Sequence, residues 1–296
     1  MKQFLEKYLL PLAMFIGILF YRPLTQWTLL IPYLIFFMLF LTYSRVSWSA
    51  IKLSKVHYIL LGIQYFGSIL VYLILRPINE ILAQAVMMCV LAPTATSAPV
   101  VAGLLGGSIS TVAAYSMISN LSITLFAPLF LSFIGHSGEH PSFFASFGYI
   151  FSNVFPMLIL PFVVSLLLQK ISPKTHKKVQ ETQIISFYLW AVALTLVIAM
   201  VTGFVIDRHA DSRVLEVSIA LAALAVCLLQ FMLGRKIGRI YNCTIAAGQS
   251  LGQKNTILAI WLTQAYLNPL ASIGPGMYVL WQNLANSYQI WRKKNA

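Results

Sequence analysis

A chain of 296 residues that is 59% hydrophobic and only 9% charged is not built to fold in water, where domains carry about 25% charged residues. At roughly 25–30 residues per membrane span and its connection, this length predicts about ten spans and no separate soluble catalytic domain. The net charge of +13 does not indicate a nucleic-acid partner, because the basic residues fall in short clusters between apolar runs.

In chain order, the amino-terminal stretch through Pro23 is apolar, lacks a small-residue cleavage site and runs on into further apolar sequence, which predicts a retained first span. The predicted spans lie near 8–21, 25–43, 57–75, 80–105, 108–135, 142–169, 182–205, 214–233, 240–265 and 269–290. Each is too long and continuous for a barrel strand, so the fold class is an all-α polytopic membrane protein of ten transmembrane helices. Cys89, Cys227 and Cys243 are odd in number, lie in apolar stretches and form no CxxC, which predicts buried thiols.

Basic residues orient the chain. With the amino terminus inside, fifteen fall on the inner side, in clusters around Lys2, Arg45, Lys170–Lys178, Arg235–Arg239 and Arg292–Lys294, and four (Arg22, Arg76, Arg208, Arg213) on the outer side. That asymmetry supports ten spans in the cell (inner) membrane with both termini cytoplasmic, and anionic headgroups favour it further. One base is left over, Lys254, inside a predicted span, whereas the seven acids all fall at span ends or in connections.

Two spans must be broken. Pro93 and Pro99 flank Thr94, Thr96 and Ser97, and each interior proline removes a backbone donor and clashes with the preceding turn. Gly248, Gln249, Ser250, Gly252, Gln253, Lys254, Asn255 and Thr256 form a polar run that lipid would not tolerate, and non-helical backbone at such depth belongs where protein or a wet cavity surrounds it. The competing readings are a kinked helix for the first and an extramembrane loop for the second. The breaks fall in spans 4 and 9, fourth of five in each half, which is the layout of a 5+5 inverted repeat (residues 1–141 and 142–296) with crossing broken helices and a binding site where they meet.

The stretch APTATSAPVVAGLLGGSISTVAAYSMISNLSITLFAPLF resembles the Pro-Gly-Gly-Thr-Ala-Ser-Asn break and following Ser/Thr-rich helix of the bile acid:sodium symporter family. GQSLGQKNTILAI resembles that family's Glu-x-Gly-x-Gln-Asn crossing, with Leu251 at the motif's glycine, and MYVLWQNLANSY its Trp-containing closing helix. The resemblance is to a divergent, bacterial-type member with altered sodium ligands. It implies a panel domain (spans 1, 2, 6 and 7) and a core domain (spans 3–5 and 8–10) that move against each other to alternate access for organic anions.

It also implies where sodium would bind. In the first site the family's Ser-Asn pair falls on Ala98 and Pro99, its hydroxyls on Val112 and Ser116, and its Glu on Gln249. In the second, glutamines fall on Gln64 and Gln253, but the following Asn falls on Lys254. A fixed cation within ~5 Å of Na⁺ would repel it by several kcal/mol, so strict two-sodium coupling is not expected. Two readings of Lys254 stay open. In one its ammonium replaces a bound cation and attracts a substrate carboxylate or sulfonate, and a desolvated amine can also release its proton, offering proton coupling. In the other it pairs with carbonyls of the broken helix or snorkels to an aqueous vestibule.

The function expected is secondary transport of a small or amphipathic organic anion, with no enzyme activity, no cofactor and no nucleic-acid partner. Candidate binding residues are Lys254, Gln253, Gln249, Gln64, Ser116, Thr96, Ser97, Ser119, Asn120 and Asn255. Ser116, Ser119 and Asn120 share a helical face, but hydroxyls often bond within their own helix. Gln264, Asn268, Gln282, Asn283 and Asn286 are either contacts or interhelical glue. His136 and His140 around Glu139 make a weak metal motif. An arsenite-type efflux carrier, for which Cys89 would be the key thiol, and a non-transporting sensor are the alternatives. An intramembrane protease is excluded by the lack of span aspartates and of an HExxH.

Overall fold

The computed structural model describes residues 2–45, 53–134, 142–207 and 213–295. His136, Glu139, His140 and Trp48 lie outside the described residues. Those described are helical or in turns, with one isolated antiparallel bridge. The helices are α1 (Lys2–Leu19), α2 (Tyr21–Thr25), α3 (Ile31–Ser44), α4 (Lys55–Leu75), α5 (Glu80–Leu91), α6 (Ala98–Leu104) and α7 (Ile109–Ile134), followed by α8 (Phe143–Ile171), α9 (Pro173–Glu181), α10 (Gln183–Asp207), α11 (Arg213–Ile240), α12 (Thr244–Gly252), α13 (Thr256–Tyr266) and α14 (Ile273–Lys294). Among the described residues, five segments are long and apolar enough to cross a membrane: Lys55–Leu75, Ile109–Ile134, Phe143–Ile171, Ile185–Ile206 and Arg213–Ile240. Shorter apolar helices accompany them.

Three boundaries differ from the sequence expectation. The span predicted over 25–43 is α2, a 3₁₀ turn at Thr28–Leu30 and α3. Pro32 cannot donate a backbone hydrogen bond to the carbonyl four residues earlier, so the regular helix starts afresh with proline in its first turn. The connection expected after residue 169 contains α9, begun by Pro173. The basic stretch after residue 233 stays helical to the end of α11.

The chain divides into two compact units, one of residues 1–45 and 153–212 and the other of 46–152 and 213–296. In the first, α1 and α10 meet at Gly17, where a Cβ would come within 2.7 Å of the Thr195 carbonyl. The Gln180 amide of α9 donates to the Ser44 carbonyl at the end of α3.

The second unit holds both breaks. α11 and α12 form a tight hairpin turned at Asn242, which adopts φ 55°. Small residues let the two backbones touch: a Cβ on Gly234 would come within 2.5 Å of the Ala247 carbonyl, and one on Gly238 within 2.8 Å of the Cys243 carbonyl. This Gly-x-x-x-Gly stripe is the close-approach pattern of membrane helix pairs. Gly252 lies flat against the Phe231 ring, leaving no room for a methyl group. α4 is closed at its start by Ser54 and His57, which cap each other's backbone, and His57 Nε2 reaches the Thr111 carbonyl of α7 at 3.1 Å.

Candidate functional site

The sequence interrupts α5/α6 at residues 92–97 and α12/α13 at residues 253–255, and the two interruptions pair with each other. Thr94 and Lys254 form an antiparallel bridge. The Ala95 N–H donates to the Gln253 carbonyl at 2.9 Å, and the Asn255 N–H to the Pro93 carbonyl at 2.7 Å. Gln282 of α14 reads the outer edge of the bridge: its Oε1 accepts from the Lys254 N–H at 2.8 Å and its Nε2 donates to the Lys254 carbonyl at 3.2 Å. Backbone that has left the helix is thereby satisfied inside protein, as burial requires.

A helix ends with four carbonyls that lack intrahelical donors. At the end of α5 all four are met by side chains. Cys89 O accepts from Gln230 Nε2 at 3.2 Å, Val90 O from Lys254 Nζ at 2.7 Å, Leu91 O from Gln64 Nε2 at 2.8 Å, and Ala92 O from Lys254 Nζ at 2.9 Å. Lys254 is 1% exposed, so its amine neither snorkels nor reaches solvent. It stands at the negative end of the α5 dipole, the place in a helix where a cation is favoured.

α12 is closed from the other side. Thr94 Oγ1 donates to the Ser250 carbonyl at 2.5 Å, and the Tyr278 hydroxyl to the Gly252 carbonyl at 2.8 Å. α7 supports the first break: Ser116 Oγ and Asn120 Nδ2 donate to the Thr94 carbonyl at 3.4 and 2.9 Å, while Ser119 Oγ accepts from the Thr94 N–H at 3.3 Å. Ser119 also donates to Gln64 Oε1 at 2.9 Å, and the Tyr115 hydroxyl donates to that oxygen at 2.8 Å. These α7 side chains reach across to other elements, and Asn120 bonds within its own helix as well.

The family model of the Sodium Bile acid symporter family matches residues 4–208, which include the first break. The chain belongs to that family. It is therefore a transmembrane transporter of the bile acid:sodium symporter family, a family of membrane transporters rather than of enzymes. No curated protein matches the chain.

At the positions the resemblance assigns to sodium, this family member presents other chemistry. Ala98 and Val112 are fully buried in an apolar cluster with Ala102 and Ala246. Pro99 adds no side-chain oxygen, and Ser116 points at the Thr94 carbonyl. Gln249 turns to α14, donating to Asn286 Oδ1 at 3.0 Å. Of the second set, Gln64 is fully engaged, Gln253 Nε2 donates to Ser97 Oγ at 2.9 Å, and Lys254 caps α5.

Of the remaining predicted residues, Thr96 is half-buried and Ser97 exposed in the first break, and Asn255 caps α13 by accepting from the Leu258 N–H. Gln264 bonds Ser272, Asn268 caps the following turn, and Asn283 donates to Val279 O of its own helix. Cys89 is buried in a cluster with Cys227, Phe231 and Tyr278. Sequence reasoning missed the roles of Gln230 and Tyr278, which act through single carbonyls, while Gln282, read as a contact or as interhelical glue, pairs with the Lys254 peptide group. It read Arg235 only as topology charge, although the spacing of Gly234 and Gly238 around it was a legible sign of close packing.

Proposed function

We propose that the chain is a secondary transporter of a small or amphipathic organic anion, working by alternating access and without strict two-sodium coupling, in which the Lys254 ammonium takes the place of a bound cation. The observation that carries this reading is the buried contact of Lys254 Nζ with the Val90 and Ala92 carbonyls at the crossing. Carbonyls at the end of a broken helix are the groups that coordinate a coupling ion in such transporters, and here a covalently attached cation already occupies two of them. The hydrocarbon packing of Ala98 and Val112 supports the same conclusion for the other sodium position.

The ten-span, 5+5 reading rests on treating α2–α3, α5–α6 and α12–α13 as single interrupted crossings, with α9 as a surface segment. On that count both breaks fall fourth of five. The composition of the two compact units supports assigning α1–α3, most of α8, and α10 to the panel and α4–α7 with α11–α14 to the core. The charge asymmetry supports an orientation with cytoplasmic termini. Proton exchange at Lys254 is the ion coupling that this reading offers.

Counterflow of a labelled carboxylate by the purified protein in proteoliposomes tests the proposal. Uptake should persist when sodium is replaced by N-methylglucamine, and loss of all uptake in that medium would contradict it.

A further inference from the structure

Arg235 has a surrounding that the capping network does not use. The Gly234 and Gly238 contacts bring α11 against α12, and the Arg235 side chain crosses the backbone of Gly248, where a Cβ would come within 2.7 Å of Arg235 Cγ. This directs the guanidinium to α14: its Nη2 donates to Gln289 Oε1 at 2.6 Å. The same oxygen accepts from Gln249 Nε2 at 3.4 Å.

The cluster joins a half-buried guanidinium to one buried donor that lacks an acceptor. No acidic side chain among the described residues bonds to the half-buried Arg235. Behind it, Gln249 and Asn286 are more than nine-tenths buried, yet among the described residues neither the Asn286 Nδ2 donor nor the Gln249 Oε1 acceptor has a partner. A buried donor left unpaired is costly and calls for an acceptor. A guanidinium is a planar fork of donors matched to a carboxylate or sulfonate.

We propose that Arg235, backed by Gln289, Asn286 and Gln249, binds the acidic head of an organic anion, a carboxylate or sulfonate. That this anion is the transported one rests on the transport reading above; the binding does not.

The test uses the full chain in nanodiscs of phosphatidylcholine, with phenylglyoxal modification of each arginine followed by mass spectrometry. Propionate and propanesulfonate should slow modification of Arg235 about fivefold or more, as occupancy of its fork by an anion would. Propionamide, the neutral isostere, should not, and the distant Arg76 should be unaffected by all three. Unchanged Arg235 reactivity with both anions, or equal protection of Arg76, would overturn the proposal. Slowed modification in discs containing phosphatidylglycerol, with no further effect of propionate, would assign the site to a lipid headgroup and overturn it as well. Anion protection in a protein that fails counterflow would leave this site standing and remove the transport reading. Undiminished counterflow of a carboxylate by Arg235→Gln would leave the transport reading standing and overturn the assignment of the transported anion to this site.

Discussion

Thr94 and Lys254 are partners in one antiparallel bridge, and each closes the helix that precedes the other. The Thr94 hydroxyl donates to the Ser250 carbonyl near the end of α12, and the Lys254 amine donates to the Val90 and Ala92 carbonyls at the end of α5. The two breaks are thus one structural element, and neither half-helix end is satisfied without the other.

Removing the amine should be costly. Lys254→Met keeps most of the side-chain volume but leaves two buried acceptors unpaired, at ~1–2 kcal/mol each. A loss of about 2–4 kcal/mol, read as a lower melting temperature of the purified protein, is expected. In Lys254→Ala, which also leaves space, added methylammonium should recover part of the loss, while the wild type should not respond.

The reciprocal cap should show the same logic on a smaller scale. Thr94→Val deletes the donor to the buried Ser250 carbonyl and should destabilise by about 1–3 kcal/mol. Thr94→Ser keeps the hydroxyl and should stay close to wild type, so the difference between the two melting temperatures isolates the hydrogen bond from the methyl packing.

Glycines of the α11–α12 hairpin should divide from those that face open space. Gly234→Ala forces a methyl group onto the Ala247 carbonyl and should cost roughly 1–3 kcal/mol, as overpacking does. Gly148→Ala in α8 meets nothing within 4 Å and should be neutral or stabilising by up to about 1 kcal/mol, since alanine gives up less backbone freedom on entering a helix. Paired thermal melts of the two variants check the sign.

The sequence carried the breaks plainly, because Pro93 and Pro99 and the polar run from Gly248 to Thr256 are incompatible with an uninterrupted apolar helix. It also carried the paradox of Lys254, a lone base in a span without an acid. One of its two readings of Lys254, pairing with carbonyls of the broken helix, is the contact found, but which carbonyls could not be read, since every residue has one. Gln64, Gln230 and Gln282 look alike as sequence, yet one caps a helix while also accepting from two hydroxyls, one caps a helix while bonding Tyr278, and one pairs with a peptide group. The split of the second predicted span at Pro32 was legible in principle, because a proline that cannot donate marks where a helix must restart. The contacts of Arg235 were not legible because its charge serves the topology argument equally well from any position on that end of α11.

The central claim, that a side-chain ammonium stands where a family member would bind a coupling ion, is tested most directly by thermal stability of the wild-type protein in sodium chloride against N-methylglucamine chloride at equal ionic strength. A ligand that binds only the folded state raises its stability with concentration. The account predicts the same melting temperature in both salts. A saturable rise with sodium would contradict it.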